Sequence, residues 1–571
     1  MSTQEVFPNK NNLSHFFSGS LRINSKAELE EFLSQPGARE RVRAIPYQDV
    51  FLVIKHVGLA DSLEFLSFTT REQRRGLIDL DCWRKDSFHV GSFMEWMAAS
   101  VESGPEEAAR MARAVDPDLL ALFLKESIEV YALELDEPSP DLPLIFTPDN
   151  RLGLYITADG EKGVLSKLIL DSIFRFDPSL GYDVIDRVRR ENRVSMEENA
   201  YQEKRRRLEE IGFVDYYEAL EIYDEGGVQP MSSTAEARPR DEQLEISTTL
   251  PALFVDSLSP GHFLLHGLQK IVDLQDVERL RQGLAALANR ILSIHSVTPG
   301  DLEKVQPALE EIRDTLNIAL EHLTGGQADG TAAILRTHDV QALFKIGLHL
   351  MADLRSRVEG LLAQERLQLE GCKELLLCSA EVHFLNGVRR LHPLFFEGLK
   401  DASKSGYRNF QSLDDLCLAR QRLEDIGTLA RSFWTLFEER SQQVLGSSLS
   451  NCVLDKGEVR FSHIFNTALA SVLRGGRPTP ELALVGDVET MLKGTHRDRL
   501  DEKELTHKCV QRGKQLVLER LHGSHEQAVL LKYSETWARG MSAELAPLAG
   551  QSSIDPRFIR SLLLRKTPVV H

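Results

Sequence analysis

His338 and Asp339 are neighbours in the chain, and an imidazole beside a carboxylate can hold one divalent ion. A hydrolase built on them would need another His before and an Asp after, converging on the same ion; His295 or His322 and Asp353 are the candidates. The same Thr337-His338-Asp339 stretch stands where a helix should begin, and an Asp there is also an ordinary helix cap. His262 and His266 are four apart and share a helical face, but no Glu stands between them to act as the base of a zinc protease. His522 and His525 have only Glu526 and Gly523 beside them. For both pairs a surface or packed role is the expectation.

Asp79, Asp81 and Asp86, with Glu72 nearby, form the densest acidic group near the N-terminus. Oxygen ligands of this kind suit magnesium or calcium, yet calcium-loop spacing and a central glycine are missing, and capping explains one or two of the aspartates. Lys204-Arg205-Arg206-Arg207 could meet a phosphate, but Glu203, Glu209 and Glu210 flank it, which predicts a solvated face of spaced ion pairs. Cys372 and Cys378 are six apart and cannot share a tetrahedral site by themselves. No P-loop, GxGxxG turn or GxSxG elbow occurs, and no local spacing marks an activated nucleophile. No metal and no cofactor are expected.

The elements that must position such residues are helical. Between Gln48 and Leu133, Val50, Val53, Ile54 and Val57 recur at helical spacing. Thr69-Thr70-Arg71-Glu72 has the form of a capping box. Gly104-Pro105-Glu106-Glu107 and Asp116-Pro117-Asp118 each combine a cap, a proline for the first helical position and acid for the positive helix end. These starts leave little room for loops, so packed helical hairpins are predicted. Val57, Phe65 and Leu66 match Val115, Phe123 and Leu124 at an offset of 58 residues, the pattern of a two-copy repeat.

Before this block lie a flexible stretch, 1–24, and a helix from Ser25 to Ser34. After it, β-prone runs flank Pro148-Asp149-Asn150-Arg151, predicting a β-hairpin near 144–156. Helix should resume over Gly163–Phe176 and Tyr182–Tyr223. Residues 224–249, with Gly226, Gly227, Pro230 and Pro239 and little to bury, read as a flexible linker. Beyond it, Val277, Leu280, Leu284, Leu287 and Ile291, then Leu302, Val305, Leu309, Ile312 and Leu316, predict two neighbouring helices. Val340–Leu369, Lys373–Leu391 and Leu413–Leu445 continue a bundle. The fold class is thus mainly α: an acidic helical-repeat domain over 25–223 with an inserted β-hairpin, a linker, and a helical bundle over 250–571.

The chain of 571 residues is too long for one ordinary core. Its net charge of −18 is uneven: residues 1–223 carry 27 basic and 40 acidic side chains, whereas 250–571 carry 39 and 40. Such acidity repels nucleic-acid backbones and anionic lipid. Six scattered cysteines suggest no disulfide framework, and neither a leader nor an apolar span is evident, so a cytoplasmic location is expected.

Read together, EQRRGLIDLDCW near Trp83, GPEEAARMARAVDPDLLALFL near Asp116, TPDNR at Thr147, GFVDYYEALEIY at Gly212, FNTALASVLRG at Phe465 and DPRFIRSLLLR at Asp555 resemble an uncharacterised bacterial family, catalogued only as a domain of unknown function, over nearly the whole chain. That resemblance implies no activity. The GPEEAARMARAVDPDLL segment is also similar to the helical repeats of the flagellar rotor protein FliG and of MgtE-type magnesium transporters, which implies a stacked scaffold shape.

The resulting expectation is a non-enzymatic cytoplasmic scaffold or regulatory protein with a protein partner, and with neither nucleic acid nor membrane as target. Asp79, Asp81, Trp83 and Trp96 are its predicted interaction surface, because acid and large aromatics lie close in sequence. A metal-dependent hydrolase of HD type centred on His338 and Asp339, and a divalent-cation sensor using the acidic half, are the alternatives.

Overall fold

The structure, a computed structural model, describes residues 23, 25–84, 86–136, 138, 143–211, 213–214, 216–223, 262–295, 297, 302–369, 372–438, 441–492, 502–549 and 554–566. The protein is mainly helical, with three small antiparallel sheets among the described residues. It divides into two compact units, 1–348 and 349–571. The predicted flexible start and the 224–249 linker lie outside the described residues, apart from Ile23, which is buried.

Short capped helices build the first unit. Thr70 Oγ1 accepts from Gln73 N at 3.1 Å while Gln73 Oε1 accepts from Thr70 N at 2.8 Å, so the capping box falls one residue later than Thr69–Glu72. Thr69 serves elsewhere: its hydroxyl accepts from Arg74 Nε at 3.1 Å. Arg74 is itself buried and donates to Glu107 at 2.6 Å, tying the helix Arg71–Asp81 to the helix Pro105–Ala114. Pro105 and Pro117 open their helices as predicted, the first behind Gly104 with φ of 116°. Phe51, Phe65, Phe93, Trp96 and Phe123 fill the core between these helices.

The predicted β-hairpin forms from Ile145–Phe146 and Leu152–Ile156, and Ile128–Ala132 adds a third strand on the other side of Leu152–Ile156. Asn150, with φ of 53°, takes the left-handed position in the turn, a conformation asparagine tolerates.

Several long predicted helices are shorter. Tyr182–Tyr223 breaks into Pro178–Arg190, Arg193–Glu209 and Tyr216–Leu220, because Asn192 Oδ1 accepts from Ser195 N at 2.8 Å and starts a fresh helix. Lys373–Leu391 contributes only Ser379–Val388, followed by the strand pair Leu394–Phe396 and Tyr407–Asn409. Leu413–Leu445 splits into Leu413–Ser432 and Ser441–Ser448 where Phe433 turns into an aromatic cluster, 4.4 Å from the Phe461 ring.

The helices Leu274–Ile294 and Leu302–Leu323 pack together as their spacing predicts, and both belong to the first unit. Asn289, buried, meets Gln48 Nε2 at 3.2 Å and donates to the Ile211 carbonyl at 2.7 Å.

In the second unit the helices Glu502–Arg520 and Ser524–Leu545 form a pair, with Phe461–Leu473 packed on both and Leu413–Ser432 on the latter. The chain end is sewn onto them. Leu563 N donates to Thr467 Oγ1 at 2.8 Å, and Glu544 Oε1 accepts from Arg560 N and Ser561 N at 2.9 and 3.0 Å.

Candidate functional site

Asp79, Asp81, Trp83 and Trp96 come together, but inside the first unit, each no more than 5 % exposed. Their partners explain the burial. Asp79 is held by Arg207 through two hydrogen bonds of 2.7 and 3.0 Å, and Asp81 accepts from Lys55 and from Trp96 Nε1, both at 2.8 Å. Trp83 packs on Phe88 and Tyr201, with Lys204 Nζ 5.0 Å from its ring centre. The predicted surface is therefore a core cluster: each charge finds a countercharge within the fold, and no ring is left facing solvent. The rest of the basic run is spent in ion pairs, Arg205 with Glu209 and Arg206 with Glu203.

His338 and Asp339 likewise serve the backbone. His338 Nδ1 lies 3.2 Å from the Ile334 carbonyl, and Asp339 Oδ1 accepts from Gln341 N at 3.4 Å at the start of the helix Val340–Leu362. His295 turns to Glu311, 2.9 Å away, which also accepts from the buried Tyr223 hydroxyl. That carboxylate raises the His295 pKa. His322 is exposed, and Asp353 pairs with Arg357 at 3.0 Å. His266 Nδ1 lies 2.9 Å from the Ala328 carbonyl, and His525 reaches Glu424 only at 3.8 Å. Among the described residues no three His, Cys, Asp or Glu side chains gather as metal ligands.

The chemistry-bearing cluster that sequence reading missed lies in the second unit. Glu381, in the first turn of Ser379–Val388, is 3 % exposed. Its Oε2 accepts from Cys378 N at 3.0 Å, which caps the helix, and its Oε1 accepts from Tyr533 Oη at 2.6 Å and from Arg422 at 3.0 Å. Above this carboxylate opens a hollow of ≈ 360 Å³, lined by aromatic Phe461, Tyr533 and Trp537 and by cationic Arg422, Arg460 and Lys532. A second hollow of ≈ 300 Å³ shares Glu381, Arg422 and Lys532 with it and adds Asp425. Lys532 bridges to that Asp425 at 3.3 Å.

Four helices supply these residues, from Ser379–Val388, Leu413–Ser432, Phe461–Leu473 with its cap Arg460, and Ser524–Leu545. Residues as far apart as Glu381 and Tyr533, 152 positions, leave no local motif; the one local signal is Glu381 three residues after Cys378, a cap with an unusual first residue.

The titratable groups here are held away from neutrality. Burial, then the Glu381 charge, pushes the Tyr533 phenol far up. Cys378 is exposed as a residue, but its sulfur folds onto the helix end, and lost solvation together with Glu381 moves the thiol up to about 11. Behind the hollow, burial and then the Arg460 charge lower His463 to about 4, so its Nδ1 stays an acceptor for Arg460 N at 3.2 Å. A protonated phenol, a protonated thiol and a neutral imidazole can bind and orient, but none is poised to exchange a proton near pH 7.

The family model described as "Family of unknown function (DUF6178)" matches residues 8–565. No curated protein and no solved structure matches the chain, and the expected likeness of residues 104–120 to rotor and transporter repeats is not shown.

Proposed function

The chain belongs to this family of unknown function, and from that premise we propose a non-enzymatic regulatory protein that binds a small organic ligand in the hollow over Glu381 and acts on a protein partner. The observation that carries the reading is the convergence of Glu381, Arg422, Arg460, Lys532 and Tyr533 from four helices onto one hollow with an aromatic wall. Its volume lies within the range of small-molecule sites, and an apolar body with a few convergent polar groups is their usual composition. The titration states favour holding a ligand over transforming it. A net charge of −18 argues against a nucleic-acid partner.

Thermal unfolding of the full chain against a panel of small organic acids, amines and neutral aromatics tests this. One class should raise Tm, since a ligand at a hundred times its Kd stabilises by about 2.7 kcal/mol. Ser462→Phe, which fills the hollow, should abolish that shift. A panel without any shift, a shift retained in Ser462→Phe, or turnover of a panel compound overturns the proposal.

A further inference from the structure

The charges around the hollow are unequally matched. Arg422 is engaged by Glu381, and Lys532, exposed along its stem, by Asp425. Arg460 is different: its guanidinium donates to the carbonyls of Gly457 at 2.7 Å and Val459 at 2.8 Å, and among the described residues no carboxylate lies within ion-pair range of it. It therefore brings to a half-buried wall a positive charge that no carboxylate pairs directly, Glu374 feeling it only from beyond ion-pair range, next to Phe461 in sequence and sharing the lining with Trp537. A carbonyl satisfies a guanidinium N–H but leaves its charge in place, and a partly desolvated charge attracts one of opposite sign.

Resting on the hollow being the binding site, we propose that its ligand is a small aromatic carboxylate, with the charge against Arg460 and Lys532 and the ring among Phe461, Tyr533 and Trp537. One cation without a direct ion pair matches one negative charge. A phosphate dianion would place its second charge near Glu381, and a cation would meet three positive side chains. A neutral aromatic would fill the wall but leave Arg460 as it is. Lys532 is exposed and leans over the rim of the hollow, where it reaches the ligand while its 3.3 Å bridge to the buried Asp425 keeps it in place.

Calorimetric titration of the full chain with 1-naphthoate, 1-naphthalenemethanol and inorganic phosphate separates these possibilities. The expected result is one saturable 1-naphthoate site per chain, with the alcohol and phosphate each bound at least about tenfold more weakly, as befits a charge-assisted contact. Arg460→Met should weaken 1-naphthoate by about tenfold or more and leave the alcohol unchanged, while Arg460→Lys, which keeps the charge and guards against a folding defect, should retain most of the affinity. Lys532→Met should give a smaller loss. Equal binding of alcohol and acid, or preference for phosphate, overturns the aromatic carboxylate while the hollow stands, provided Ser462→Phe abolishes that binding. Binding of 1-naphthoate that survives Ser462→Phe, or no binding of any of the three, overturns both readings.

Discussion

Trp83 and Trp96 sit one helix apart in the same core and differ in one atom's company. Trp96 Nε1 donates to Asp81, whereas Trp83 Nε1 is buried and has no hydrogen-bond partner among the described residues. An orphaned buried donor carries a desolvation cost of about 1–3 kcal/mol, and a phenyl ring in its place removes that cost along with some packing. Trp83→Phe should therefore change unfolding free energy by about 1 kcal/mol or less, while Trp96→Phe, which takes a donor from a buried carboxylate, should cost about 2 kcal/mol more. Denaturant unfolding of the two variants checks the order; equal losses would refute the contrast. Both tryptophans were visible in the sequence as large aromatics beside acid. Whether a ring faces solvent or core depends on what packs over it, here Tyr201 and Lys204 from more than 100 residues away.

Element boundaries divide in the same way. Starts that depend on a cap and its next few residues were legible: Pro105, Pro117 and the Thr70 region carry their instructions within four positions. Helix ends inside Leu-rich runs were not, because Phe433 leaves its helix to join rings from Phe461 and Trp537, which no local pattern announces. Two glycines in the helix Val340–Leu362 give a test at this scale. A Cβ on Gly347 would lie 2.3 Å from the Thr315 carbonyl oxygen, whereas one on Gly360 would meet nothing within 4 Å. Alanine normally stabilises a helix interior by about 0.5–1 kcal/mol over glycine. Gly360→Ala should raise Tm by a few degrees and Gly347→Ala should lower it, since backbone must move to admit the methyl. A rise in both would mean that the two helices do not approach so closely.

Across the whole molecule, composition pointed to an acidic helical protein, and the weak stretch at 224–249 suggested a division there. The compact units divide at 348/349, and the helices between Phe263 and Leu348 belong with the first of them. Asn289 bridges Gln48 and Ile211, and Glu311 receives the Tyr223 hydroxyl. A fragment 1–223 should thus melt at least about 5 °C below a fragment 1–362, given about 2–4 °C per kcal/mol for domains of this size. Circular dichroism melts of the two fragments decide it; equal midpoints would restore the division at 224–249. No described helix is long and apolar enough to cross a membrane.

By itself the sequence determined the helical class, the hairpin starts, the turn at Pro148–Arg151 and the charge balance. All of these follow from periodicity and capping chemistry that act over a few residues. Only the tertiary structure decided that the acidic and aromatic cluster at 79–96 is interior, that His338 folds back onto the end of the helix Thr331–Thr337, and that Glu381, Arg422, Arg460 and Tyr533 share a hollow. Burial and convergence are properties of side chains brought together from distant positions, and nothing in the local spacing of residues encodes the partner that will cover or neutralise them.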